Sequence, residues 1–257
     1  MEHIDIIEKY LVGVGAEIGA FKTPLPGIRP IYIDCFEEYA GSPTLVDYFG
    51  SATAMPFRDS SLNYVAASHV IEHVANPLAA LREWYRISRH GGFLYIVVPD
   101  RRYTFDRRRP LTTVPHLIED FEKEVGDNDP THIDDFIFNV DWALFSPATS
   151  ERDVEKDRHT LREKYLAATR ARLSINIHFH TFEPASFFQL IQQANTKKVW
   201  TGRLRVVALV SEFPGSNPNG FLVVAQVFKS RKERLKALFS RKGFARGARP
   251  AGYARRV

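Results

Sequence analysis

The chain predicts an α/β fold: a doubly wound, mostly parallel seven-stranded sheet with an antiparallel C-terminal strand pair and an insertion after the fifth strand. Three observations carry this. Short apolar runs alternate with turn and helix signals through the first hundred residues, the pattern of parallel β/α units. The first runs end on small and acidic residues, in AEIGAF (16–21) and at Asp34, which is where an open α/β sheet places ligand-binding groups. Two late apolar runs, 204–210 and 221–228, flank the turn-rich EFPGSNPNG, which makes them antiparallel neighbours.

Taken in order, residues 3–11 read as a short helix. Strands are expected at 12–18, 29–34, 45–49 and 62–68, the last introduced by the turn residues of RDSS (58–61). Asn76-Pro77 is a helix start, since Asn caps the first turn and Pro fits the first helical position. Leu78, Leu81, Trp84, Tyr85 and Ile87 follow at helical spacing, and Gly91-Gly92 closes the helix. Residues 93–98 are apolar throughout, as in a central parallel strand. From 100 to 181 the chain turns polar and irregular, too long for a plain loop and therefore a structured insertion. A charged, exposed helix is expected at 151–172, and a helix with an apolar side at 183–194. The domain boundaries follow: 1–99 with 183–229 as the sheet domain, 100–182 as a cap, and 230–257 as a flexible basic tail.

At 257 residues the chain suits one large domain, or one with an elaboration. The single cysteine, Cys35, rules out an internal disulfide and fits a reducing compartment. No apolar run approaches the roughly 18 residues of a membrane span. The acidic, amphipathic start is unlike a secretory signal, so the expected location is the cytoplasm. The formal net charge of +5 divides unevenly: residues 229–257 hold eleven Lys or Arg and one Glu, or +10, leaving −5 on the rest. Such a tail is either a solvated terminus or a tether for an anionic partner.

Glu17, Gly19 and Asp34 carry the first chemical signal. Gly19 lets backbone approach a ligand closely, and Asp34 at a strand end suits a grip on two ribose hydroxyls. A dinucleotide site would need G-x-G-x-x-G opening a helix around a pyrophosphate. Here the segment is GAFKTPLPG (19–27), whose two prolines prevent a regular first helix. A nucleoside cofactor without phosphates, such as S-adenosylmethionine, needs no such cradle.

The stretch from Ser51 to Asp100 resembles the middle of the class I methyltransferases often called type 11. It contains the small-residue turn before Met-Pro-Phe, then Asp-x-Ser, a strand ending in His, an Glu-His pair, Asn-Pro, a helix with Leu-Arg-Glu, and Gly-Gly before the next strand. The resemblance covers residues 12–100 closely and the C-terminal strand pair loosely. It implies a Rossmann-like fold and S-adenosylmethionine as cofactor. By position it places Glu17, Gly19, Ala20 and Phe21 along the methionine part and Asp34 on the ribose. It sets Cys35, Phe36, Ser51 and Ala52 around the adenine, and Ser68 and His69 under the sulfonium. Ser51 departs from the acidic residue common there, and the glycine-rich loop is reduced to one glycine.

His69-Val-Ile-Glu72-His73 also reads as H-x-x-E-H, an inverted zinc-peptidase motif. That chemistry needs a stable helix and a distant third ligand, yet only about two turns separate the strand from the helix start at Asn76. The insertion holds the candidates for a base that removes an acceptor proton: His116, His132, Asp134, Asp135, His178 and His180. In an extended segment, His178 and His180 would project to one side, as a pocket wall or metal site. The resemblance and this polar content together imply O-methylation of a saccharide or similar small hydroxyl acceptor. Magnesium or another divalent metal is compatible, as is a homodimer. Alternatives are an RNA methyltransferase guided by the tail, although a base-amine signature of the Asn-Pro-Pro-Tyr kind is absent, and a metal-binding module or zinc hydrolase built on the histidines.

Overall fold

The computed structural model describes residues 3–39, 41–151, 153–214 and 219–239. Helix α1 (His3–Tyr10) leads into β1 (Gly15–Ile18) and β2 (Ile31–Asp34). A small hairpin of β3 (Glu38–Tyr39) and β4 (Ser42–Pro43) precedes β5 (Tyr48–Phe49) and β6 (Leu62–Ser68). Then come α2 (Pro77–Ile87) and β7 (Ser88–Pro99). Helices α3 (Val114–Glu122), α4 (Ile133–Asn139), α5 (Trp142–Phe145) and α6 (Val154–Arg170) follow. The chain then returns through α7 (Pro184–Thr196), β8 (Arg203–Phe213), β9 (Gly220–Phe228) and α8 (Arg231–Phe239).

Seven strands form one sheet in the order β5-β2-β1-β6-β7-β9-β8. Strands β5 to β7 pair in parallel, and β9 runs antiparallel to both β7 and β8. This is the expected doubly wound sheet with its antiparallel end. The strand order reverses between β1 and β6, so the carboxyl ends of β1, β2 and β6 frame a crevice.

The central strands are apolar on both faces because both are covered. Tyr64, Ala66, Tyr95, Val97, Leu222 and Val224 meet Ile6 and Ile7 of α1 and Leu11 just beyond it. The alternate residues Val65, Ala67, Leu94, Ile96, Val98 and Val223 meet Leu78, Leu81 and Trp84 of α2 and Phe187, Leu190 and Ile191 of α7. A period of two along each strand thus yields an uninterrupted apolar run. No helix among the described residues is long and apolar enough to cross a membrane.

Several boundaries shift for local reasons. Val12 and Val14 are exposed, and β1 begins only at Gly15. The third strand shrinks to Tyr48–Phe49. Gly91-Gly92 does not end α2. That helix stops at Ile87, where the Ser88 hydroxyl donates back to the Trp84 carbonyl at 2.8 Å. The glycines sit inside β7, and a Cβ on Gly92 would meet the Asn63 carbonyl at 2.7 Å. At Asn76 the expected cap forms, its side chain accepting from Ala79 N at 2.9 Å. No helix follows β1, in keeping with the prolines there.

Residues 100–182 hold a further apolar cluster, with Ile133, Phe136, Ile137, Trp142, Tyr165 and Phe179 among its buried members. The charged helix expected at 151–172 is α6, which buries only Tyr165 and Ala168. At the other end, the basic segment begins inside the fold. Lys229 Nζ donates to the Tyr85 carbonyl and stands 3.8 Å from the centre of the Tyr85 ring. The Tyr85 hydroxyl donates to Glu233 at 2.9 Å. The expected flexible tail beyond Phe239 lies outside the described residues.

Candidate active site

A cavity of about 310 Å³ opens at the carboxyl ends of β1, β2 and β6. That is near the lower end of the range of about 300–1,000 Å³ typical of small-molecule sites. Local hydrogen bonds fix its walls. Gly19 N donates to Ile33 O at 2.9 Å, Gly50 N to Asp34 O at 3.0 Å, and His69 N to Val97 O at 3.0 Å. The Trp84 indole donates to the carbonyl of Ala52 at 2.9 Å, pinning the turn after β5. Asp34 is buried, and its Oδ1 accepts from Phe36 N at 3.0 Å, which turns the chain so that Cys35 and Phe36 face the same space.

Nine of the expected cofactor residues line this cavity: Gly19, Phe21, Asp34, Cys35, Phe36, Ser51, Ala52, Ser68 and His69. Glu17 and Ala20 do not. Glu17 turns beneath the following loop, where its Oε1 accepts from Leu25 N at 3.0 Å. Burial pushes its carboxyl up to about 7, partly offset by that hydrogen bond. Two lining residues, Phe21 and His69, have φ of +50° and +54°. Non-glycine residues rarely adopt that region, and such strain collects where ligands bind. Burial and the neighbouring His178 hold His69 below the usual imidazole range.

The far wall comes from residues outside the expected cofactor set, and of these the sequence draws notice only to His73, as part of H-x-x-E-H. Asp127, Ser174 and Asn176 face the cavity from the 100–182 segment, and His73 and Val74 from the turn after β6. The H-x-x-E-H run forms no helix of the zinc-peptidase kind: Ile71–His73 is a single 3-10 turn, with His69 outside it.

The six base candidates separate. His178 sits behind His73, with ring centroids 4.6 Å apart and edge-on, and its Nδ1 lies 2.5 Å from Asp106 Oδ2. Burial raises the Asp106 carboxyl, but His178 and Arg109 outweigh it and hold it below its ordinary value. Arg109 is itself buried. It donates to Asp106 at 2.8 Å, to Asp135 at 2.6 Å, and to the carbonyls of His178 and Phe179 at 2.8 and 3.2 Å. Beside this group Glu72 is fully buried, its carboxyl pushed up to about 8 chiefly by burial.

His116, His132 and His180 instead gather around Asp120, and none of these four lines the cavity. His178 and His180 therefore do not share one site. Successive carbonyls of a strand point opposite ways, but those of 178 and 179 both face Arg109, so this segment is not a regular extended strand. Burial and the surrounding imidazoles keep His180 well below the usual range. Asp134 is at the surface, paired with Arg162 at 2.7 Å.

Residues 28–96 match a protein family described as a methyltransferase domain. A protein of a Streptomyces fradiae transposon, TN4556, known only as an uncharacterized 37.1 kDa protein, is 31% identical over 97 residues. Those residues are 34% of this chain, and the match spans only 28% of that relative's length. Among solved structures, a Methanosarcina mazei S-adenosylmethionine-dependent methyltransferase superposes with a TM-score of 0.50. The identity is 15%, over 90% of this chain and all of the other. A Thermotoga maritima S-adenosylmethionine-dependent methyltransferase, described as a possible histamine N-methyltransferase, gives a TM-score of 0.45. It is 18% identical, covering 89% and 88% of the two chains. At such identities the likeness is one of fold alone. Within that fold, the segment that matches the methyltransferase domain, residues 28–96, carries Asp34, Ser51, Ser68 and His69 of the cavity wall.

Proposed function

We propose that this chain transfers a methyl group from S-adenosylmethionine to a hydroxyl of a saccharide or a similarly small polar acceptor. One juxtaposition carries the reading: a histidine oriented by a buried carboxylate stands directly behind a cavity wall that itself contains two histidines. When bound, the cofactor supplies an electrophilic methyl group on its sulfonium.

In this reading Asp34 holds the ribose and Cys35, Phe36, Ser51 and Ala52 surround the adenine. Gly19 and Phe21 border the methionine part, and Ser68 and His69 floor the reacting end. A Cβ on Gly19 would meet Val70 at 2.8 Å, so the close approach of backbone there needs glycine. Glu17 and Ala20 support the loop from below. Residues 100–182 act as the acceptor cap, closing over the cavity with Asp127, Ser174 and Asn176.

A hydroxyl is a weak nucleophile until its proton is removed, and a positioned imidazole does this. Asp106 is a hydrogen-bond acceptor, which assigns the proton of His178 to Nδ1 and leaves Nε2 to take one. The acceptor proton leaves toward the row His73, His178 and Asp106. Alignment of acceptor and methyl group supplies much of the remaining acceleration.

The test is transfer of labelled methyl from S-adenosylmethionine to parallel panels of oligosaccharides and RNA. Label in sugars alone is expected, and label confined to RNA would overturn the acceptor assignment. Separately, saturating S-adenosylhomocysteine should raise the melting temperature. An unchanged melting temperature would count against the cavity as the cofactor site.

A further inference from the structure

We propose that His116, Asp120, His132 and His180 form a binding site for a divalent transition metal, zinc above all, that braces residues 100–182. The four side chains come from three separate pieces of chain. His116 and Asp120 are one turn apart on α3, His132 precedes α4, and His180 lies in the segment leading back to the sheet. Their ligand atoms all lie within 4.8 Å of one another.

The spacing is that of a coordination shell. A tetrahedral ion with bonds of about 2.0–2.1 Å sets its ligand atoms roughly 3.3–3.4 Å apart. His116 Nε2 is 3.0 Å from His132 Nε2 and 3.2 Å from Asp120 Oδ2. From the same oxygen, His132 Nε2 lies at 3.4 Å and His180 Nε2 at 3.7 Å. Three imidazole nitrogens and one carboxylate oxygen thus face a common point.

Hydrogen bonding among the four does not satisfy them. Asp120 Oδ2 is buried and accepts no hydrogen bond, although three imidazoles surround it. A buried carboxylate oxygen left so is costly. The His116–His132 contact can carry one proton at most. His180 Nε2 also lies 3.0 Å from the Ala75 carbonyl. Before the ion enters, a proton on Nε2 is held there; to coordinate, the neutral ring carries that proton on Nδ1 instead and turns the Nε2 lone pair to the metal.

The donor set selects the metal. Three nitrogens and one oxygen in tetrahedral array suit zinc, whereas magnesium and calcium take oxygen ligands. Four protein ligands leave no open position, which marks a structural site. Outside the ligands, His132 Nδ1 is 3.1 Å from the Thr131 hydroxyl, the kind of contact that fixes a ligand ring. The half-exposed side chain of His116 provides the ion's way in. Because His180 follows His178 by two residues, the metal would also hold the segment that carries the proposed base.

The test uses the full chain without an affinity tag and does not depend on methyl transfer. After exhaustive dialysis the wild type should retain about one zinc per chain. Zinc ions added to chelator-treated protein should raise its melting temperature, and cobalt should give the visible bands of tetrahedral coordination. His116→Gln and Asp120→Asn should each weaken zinc binding at least about tenfold. If Asp120→Asn fails to fold, His116→Gln decides, since its side chain is partly in solvent. A wild type with no bound zinc and no thermal response would overturn the proposal. So would undiminished zinc in His116→Gln, which would put the ion elsewhere, such as at Glu72, His73 and His178.

Discussion

The groups around Asp106 and Asp120 draw on histidines only two positions apart in the chain, His178 and His180, yet they are built for different work. Asp106 is fully engaged: His178 and Arg109 both donate to it, and the outcome is one imidazole held in one orientation. Asp120 has an oxygen that nothing donates to, ringed by three imidazoles. A carboxylate with its donors in place orients a base; one that lacks them, among converging nitrogens, awaits a cation. Residue type alone does not distinguish a catalytic histidine from a ligand. The hydrogen-bond state of its carboxylate neighbour does.

The strongest way to break this contrast is to remove what both groups share. Arg109 ties Asp106 to the carbonyls of residues 178 and 179. Arg109→Met should cost about 3–5 kcal/mol in denaturant unfolding, because buried charges lose their partner. It should also depress zinc retention and methyl transfer together. A loss below about 1 kcal/mol would mean that other contacts hold the segment.

His178→Ala separates the groups. Turnover should fall about 10²–10⁴-fold, the range for a general base, while zinc content and S-adenosylhomocysteine affinity stay unchanged. A parallel fall in zinc content would merge the two sites into one.

Glu72 sharpens the contrast through pH. Its folded pKa, pushed up to about 8 by burial, lies above the ordinary value of 4.5. Between those values the folded chain keeps a proton that the unfolded chain releases, so this group makes stability fall as pH rises. Glu72→Gln removes that dependence. From pH 5 to pH 8 the variant should gain roughly 2–4 kcal/mol on the wild type. Equal effects at both pH values, read from denaturant midpoints, would contradict the buried neutral acid. The smallest expected change is Asp106→Asn. It should slow turnover by about 10²-fold, the lower end of the range for a general base, through a misoriented His178, and shift the pH–rate profile without loss of zinc.

What could be read from the chain follows from how local each cause is. The Asn76-Pro77 start and β6 at Leu62–Ser68 depend on adjacent residues, and both appear where expected. Gly91-Gly92 was misleading because the reason for glycine is an approach to Asn63 from another strand. The cavity residues at strand ends were legible, since topology alone brings Gly19, Asp34 and Ser68 together. Glu17 looked equivalent to them, but its side chain serves the loop rather than the cavity. Asp106, Arg109 and Asp120 lay in a charged stretch where buried and solvated charges look alike. One usable sign was present: His116 and Asp120 are four apart, the spacing that places two ligands on one helix face. Asp127 and Asn176 carry no such sign, because only the folded chain brings them to the same wall.

The Tyr85–Glu233 hydrogen bond and the sheltered Lys229 tie the start of the basic segment to α2. The basic C-terminal segment is not one object. Its first charges belong to a helix clamped onto α2, so truncation at residue 230 would take away the acceptor of the Tyr85 hydroxyl and mimic a loss of tail function by releasing α2 from that clamp. A cut placed after Phe239 spares that clamp and asks only what the remaining basic residues do.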